Sequence, residues 1–152
     1  MSIDARLAEL GIELPEPAAA VANYVPSVRS GELLHISGQL SNDASGGIKG
    51  TVGVDVSLEQ AQAGARLCGI NLLAQMKAAL GGDLNRVARV VKLGGFVQAG
   101  PEFTDIPKVI NGCSDLMVEV FGDAGRHARS AVGVYRLPLG FAVEVDAIVE
   151  VK

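Results

Sequence analysis

Few side chains in this 152-residue chain combine a type and a spacing that could do chemistry. There are two histidines: His35 lies in the apolar run Leu33-Leu34-His35-Ile36-Ser37, and His127 precedes Ala128-Arg129. Without paired cysteines or an acidic cluster at ligand spacing, they predict no metal site. His127 reads as a solvated loop residue, though close enough in sequence to Arg129 to tune its charge. Cys68 and Cys113 lack a Cys-x-x-Cys spacing and fall in helical patterns, so they read as buried free thiols in a reducing compartment. Ser45-Gly46-Gly47 and Gly94-Gly95 are not followed by Lys-Ser or Lys-Thr, which excludes a phosphate loop. No Gly-x-Ser-x-Gly elbow occurs. What remains is charge in the last quarter of the chain, chiefly Arg129 and Glu144. A guanidinium stays charged and presents a planar fork of donors that matches a carboxylate, but an arginine at a strand start also commonly makes a surface ion pair.

The elements that must hold these residues are legible from periodicity. Ile3, Leu7 and Leu10 share a face of a short helix closed by Gly11, and Pro15 and Pro17 follow in an extended stretch. The chain is strand-like from Tyr24, turns at Ser30-Gly31, and continues as a strand over Leu33–Ser37. Ser41–Gly50 is polar and Gly-rich, a loop or hairpin tip. Ser57 with Gln60 predicts a capping box opening a long helix, which Gly81-Gly82 ends. Val87–Val97 reads as a strand, with Gly94-Gly95 a bulge or close-packing point. Thr104 or Asp105 caps a second long helix carrying Pro107 in its first turn and an apolar stripe from Ile106 to Phe121, closed by Gly122. Ser130–Tyr135 and Ala142–Val151 are two further strands, joined around Pro138-Leu139-Gly140. In the last, Val143, Val145, Ala147, Val149 and Val151 face one way, and Glu144, Asp146 and Glu150 the other. The resulting order is β-β-β-α-β-α-β-β behind a leading helix: an α+β layout with two helices covering one face of a largely antiparallel sheet. No repeat or linker divides it, so residues 1–152 are expected to form one domain.

Composition bounds the function. Hydrophobic residues make up 49% and charged residues 20%, which excludes disorder, while aromatics at 4% without Trp leave the core to Val, Ile, Leu and Ala. The mean hydropathy of +0.33 is high, yet no apolar run approaches the ~18 residues of a membrane span. The surplus apolar surface is therefore expected between subunits of a homo-oligomer. A net charge of −4 with Lys and Arg scattered singly argues against nucleic acid as a partner. Met1-Ser-Ile-Asp-Ala-Arg has no basic region leading into an apolar one, so a cytoplasmic location without membrane attachment is expected.

The stretch Arg129-Ser-Ala-Val-Gly-Val-Tyr-Arg-Leu-Pro-Leu-Gly-Phe-Ala-Val-Glu-Val-Asp-Ala-Ile resembles the C-terminal signature of the reactive intermediate deaminase (Rid, or YjgF) family, and Ser37-Gly38-Gln39 matches its Ser-Gly-Gln. The element order agrees from about residue 15 onward, in a longer, divergent member. The resemblance implies a chorismate-mutase-like α+β fold assembled as a homotrimer, with ligand clefts between subunits and no cofactor or metal. It implies that Arg129 grips the carboxylate of a 2-imino or 2-enamino acid while water attacks the imine, releasing ammonia and a 2-oxo acid. Ser130 is carried over beside it. Glu144 matches an acid near the cleft that could position or deprotonate the water. Tyr24 matches a cleft tyrosine, although Ala22-Asn23 replace the family's Gly-Pro before it. Asn111 matches an Asn on the second helix, but Ser114 stands where the family continues to a Tyr. Ala131 replaces a frequent Cys, which argues against thiol chemistry.

A hairpin turning near Pro138-Leu139 would set Arg129 opposite Ile148 and Glu144 opposite Gly133. The two would then share a face but lie on the order of 13 Å apart, so they are expected to meet only between neighbouring copies. The expected activity is hydrolytic deamination of small reactive imines. The alternative is a trimer that binds a small carboxylate without turnover, and a ribonuclease-type activity is the weaker third reading.

Overall fold

The computed structural model describes residues 1–17, 19 and 22–152. The helix ends fall beside the residues expected to cap them. The first helix, α1, spans Ile3–Glu9 with Ser2 accepting from the Ala5 amide, and it closes at Gly11. The long α2, Leu58–Ala79, opens on a complete capping box between Ser57 and Gln60. The second long helix, α3, runs Ile106–Phe121 behind Asp105, which makes no side-chain cap, and stops at Gly122 with φ +63°. The strands are β1 Ser27–Ser30, β2 Leu33–Leu40, β3 Val87–Gln98, β4 Ala128–Val134 and β5 Val143–Val151.

These strands form one sheet in the order β1-β2-β5-β3-β4. Every pairing is antiparallel except β3 with β4, which are joined by the α3 crossover, as a parallel pair requires. Helices α2 and α3 pack on one face over a core from Leu34 and Ile36 through Val90, Leu93 and Val97 to the inward valines of β5. The last strand alternates as its sequence directs, odd residues buried and even residues half-buried. Leu7 of α1 joins the core, so the leading helix is part of the packed body.

Several expectations are corrected. Among the described residues, two strands precede α2: residues 41–57 contribute isolated bridges at Lys49 and Val52, not a third strand. Strand β1 begins at Ser27, beyond Pro26, so Tyr24 lies outside it. The register shifts in β3 fall between Val87 and Arg89 and between Val90 and Lys92, not at Gly94-Gly95. The two glycines are close-packing points instead. A Cβ on Gly95 would stand 2.6 Å from the Ile110 side chain of α3, and one on Gly94 would collide with the Asp146 carboxylate.

The largest correction concerns the last two strands. Between them sits β3, so no hairpin forms, and a β4–β5 register does not exist. Arg129 pairs with Leu93, which pairs with Ala147 on the helix face. Glu144 pairs with Phe96, which pairs with Val132 on the open face. Arg129 and Glu144 therefore occupy opposite faces of the sheet. The alternation that was visible in each strand could not reveal which strand would insert between them.

Candidate functional site

Arg129 lies inside edge strand β4, its side chain turned under α3. Gly95 lets Ile110 settle onto β3. Gly112 brings α3 against α2, because a Cβ there would overlap the Gln62 carbonyl. Asn111 and Ser114, three residues apart and so on one helical face, are thereby held over β4. The guanidinium Nη1 donates to Asn111 Oδ1 at 2.8 Å and to Ser114 Oγ at 3.1 Å. Both acceptors are neutral. Among the described residues, no carboxylate lies within ion-pair distance of Arg129; the five ion pairs present use other cations. Half-buried and unneutralised, the charge is felt inside the core: burial pushes the Cys113 thiol up to about 12, and Arg129 opposes the rise.

Ser114, Asp115, Val118, Arg126, His127 and Arg129 line a cavity of about 260 Å³ beside the guanidinium. That is below the range of drug-sized sites. A larger cavity, about 670 Å³, lies beside α1 and is lined by Asp4, Leu7, Glu13 and Lys77 among others. Its lysine is already paired with Asp4 at 3.3 Å, so size and chemistry diverge, and the unpaired cation marks the smaller cavity.

The structure thus joins Arg129, Asn111 and Ser114 within one chain. It does not bring the other expected residues to them. Ser130 pairs with Gly94 on the open face, opposite the guanidinium. Tyr24, 54% exposed, precedes β1 at the far edge of the sheet, four strands from β4. Glu144 lies on the open face, where its carboxylate rests over Gly38 so closely that a Cβ would leave it no room. The glycine of Ser37-Gly38-Gln39 is thereby explained as the floor under Glu144. Burial raises the Glu144 carboxyl above the usual carboxylate range, and Asp146 raises it further. Asp146 is also raised, chiefly by burial.

His127, read from sequence as a solvated loop residue, is instead bound into the site. Its Nδ1 lies 2.6 Å from the Gly125 carbonyl and its Nε2 lies 2.9 Å from Ser114 Oγ. Only the co-occurrence of a Ser at 114 with a His two residues before Arg129 could have signalled this, and the pairing spans separate elements. Cys68 and Cys113 are buried free thiols raised by burial, which leaves them inert. Among the described residues, no three His, Cys, Asp or Glu side chains converge at metal-binding range, and no helix is long and apolar enough to cross a membrane.

Residues 4–150 match the family model described as "YjgF/chorismate_mutase-like, putative endoribonuclease". Protein TCP17 of Trypanosoma cruzi is 53% identical over 152 residues, covering 99% of this chain and 94% of its own. The crystal structure of Atu1372 from Agrobacterium tumefaciens, of unknown function, superposes with a TM-score of 0.92 at 51% identity, over 99% of this chain and 92% of its own. A Shewanella oneidensis MR-1 structure bearing the endoribonuclease label reaches 0.95 at 34% identity, over 99% and 100%. With its α+β fold, Arg129 signature and near-complete match to the family model, the chain belongs to the YjgF/Rid family.

Proposed function

We propose that this protein hydrolyses small reactive 2-imino and 2-enamino acids to 2-oxo acids and ammonia, with Arg129 as carboxylate anchor. The observation that carries this reading is the half-buried guanidinium, held by two neutral acceptors beside a small cavity and, among the described residues, with no carboxylate within ion-pair distance. A bidentate, charge-assisted pair is the natural completion of such a site. Free imines hydrolyse spontaneously, so orientation and polarisation suffice and no cofactor is needed.

The assembly proposed is a cytoplasmic homotrimer, without nucleic-acid or membrane partners. Its argument is the open sheet face, where Val28, Leu33 and Val132 are 53%, 37% and 46% exposed in a single chain. Glu144 and Tyr24 can approach an Arg129 cleft only from a neighbouring copy.

The test is to generate 2-aminoacrylate or 2-iminobutanoate in situ with a dehydratase and time 2-oxo acid release. Acceleration by the native chain and none by Arg129→Ala is the expected result. Absence of acceleration by the native chain overturns it. A non-catalytic carboxylate-binding trimer is the second reading, favoured by Ser114 in place of an aromatic ring. It predicts 2-oxo acid binding that depends on Arg129 but no turnover. The ribonuclease label of the family predicts RNA affinity that falls steeply with salt, against the net charge of −4.

A further inference from the structure

We propose that Ser114 and His127 form the proton relay of the Arg129 cleft, an inference that rests on the imine-hydrolysis reading above. A carbonyl oxygen can only accept, so the 2.6 Å contact between His127 Nδ1 and the Gly125 oxygen places a proton on Nδ1. In the neutral ring Nε2 then carries a lone pair, and Ser114, 2.9 Å away, donates its hydroxyl proton to it. Arg129 Nη1 donates to the same oxygen at 3.1 Å. One Ser114 lone pair remains, on a side chain that lines the cavity. The three groups match the arrangement of a hydroxyl, a base and a group that orients the base.

The backbone holding the imidazole is itself constrained. A Cβ on Gly125 would overlap the Met117 carbonyl of α3, so only glycine lets this turn tuck in and aim its own carbonyl at His127. The charged residues that line the cavity together with His127 are Asp115 from α3, Arg126 from the turn, and Arg129 from β4. Asp123 lies 3.4 Å from Arg126, and Arg89 of β3 donates to the Arg126 carbonyl. Lys92 pairs with Ala128 on the open face. Glu144, the acid expected from sequence to handle the water, faces away from this cluster within the chain.

The step balances as follows for the iminium form of the substrate. Water oxygen bonds to the iminium carbon and the π pair moves to nitrogen. A water proton passes to Ser114 Oγ as the hydroxyl proton of Ser114 passes to His127 Nε2. The imidazolium returns that proton by the same path to the amine nitrogen. The C–N bond then breaks with its pair on nitrogen, and the hydroxyl proton of the carbinol leaves with it, giving the 2-oxo acid and ammonium. Ser114 meets the ligand; His127 acts through it as a positioning and proton-holding residue.

The test compares native protein, His127→Gln, Ser114→Ala and Ser114→Thr in the 2-iminobutanoate assay across pH, with 2-oxobutanoate binding measured in parallel. The expected result is a kcat lower by about 100-fold in the Gln and Ala variants, with KM and 2-oxobutanoate affinity within about threefold. The limb that falls at acid pH in the native kcat profile is expected to vanish in His127→Gln, and Ser114→Thr to restore most of kcat. Unchanged kcat and pH profile in His127→Gln, or a loss carried wholly by KM, overturns the relay while leaving the deaminase reading standing. Native protein that binds 2-oxobutanoate yet accelerates nothing overturns both. Nitrogen NMR of the native ring supplies a check independent of any variant: a neutral His127 protonated on Nε2 overturns the assignment.

Discussion

The helix-covered face of the sheet and its open face treat charge in opposite ways. On the covered face, α3 closes over Arg129 and meets it with the neutral oxygens of Asn111 and Ser114. The open face carries the anions Glu144 and Asp146 over Gly38 and Gly94, among apolar side chains that one chain leaves exposed. A buried or half-buried charge must be paired or bonded. The cation is bonded but unneutralised, and the anions are pushed toward their neutral forms. One face thus holds a cation without a counter-charge and the other holds raised carboxyls beside exposed apolar side chains; in the proposed function a ligand carboxylate completes the first and a neighbouring copy covers the second.

The largest expected effect comes from removing the cation. Arg129→Ala should abolish imine turnover and weaken 2-oxobutanoate binding by ~10- to 150-fold, the value of a charged hydrogen bond of about 1.5–3 kcal/mol. Arg129→Lys should recover little, since a point charge lacks the planar fork. Calorimetric titration of both variants checks this, and equal affinity in all three proteins would sink the anchor.

Cover for the open face is tested by Val28→Lys. Sedimentation should change from the proposed trimer to smaller species while far-ultraviolet circular dichroism stays native. An unaltered trimer would place the subunit interface elsewhere.

Helix placement is probed by Gly112→Ala. The added methyl meets the Gln62 carbonyl, and overpacking of this kind costs about 1–3 kcal/mol. Urea unfolding should show that loss, and the shift of α3 should also weaken 2-oxobutanoate binding, because Asn111, which holds the Arg129 guanidinium, rides on the same helix.

The smallest effect concerns Glu144. Its carboxyl is raised in the folded state by burial and by Asp146, so the folded protein holds that proton more firmly than the unfolded chain. Stability is therefore lost as pH rises from the ordinary carboxylate value, about 4.3, through the raised one, and it is recovered on acidification. Glu144→Gln should melt slightly higher than the native protein at neutral pH, with the advantage fading below the ordinary carboxylate value. A lower melting point for the variant at neutral pH would mean that a cation from another copy reaches this carboxylate.

The sequence by itself determined the local structure. The Ser57–Gln60 capping box, Gly122 at the end of α3, and the strict alternation of β5 are short-range consequences of backbone satisfaction and side-chain period, and each stands where its residues placed it. It also determined the family, and it singled out Arg129, Asn111 and Ser114, the last as a departure from the family pattern; the structure joins the three by hydrogen bonds. Only the tertiary structure decided the rest. Strand order is set by which apolar faces bury one another, and the insertion of β3 between β4 and β5 put Arg129 and Glu144 on opposite faces. The setting of His127 is likewise non-local. A histidine in a loop is solvated by default, and this one is captured because a carbonyl two residues earlier and a serine on a separate helix converge on its two nitrogens.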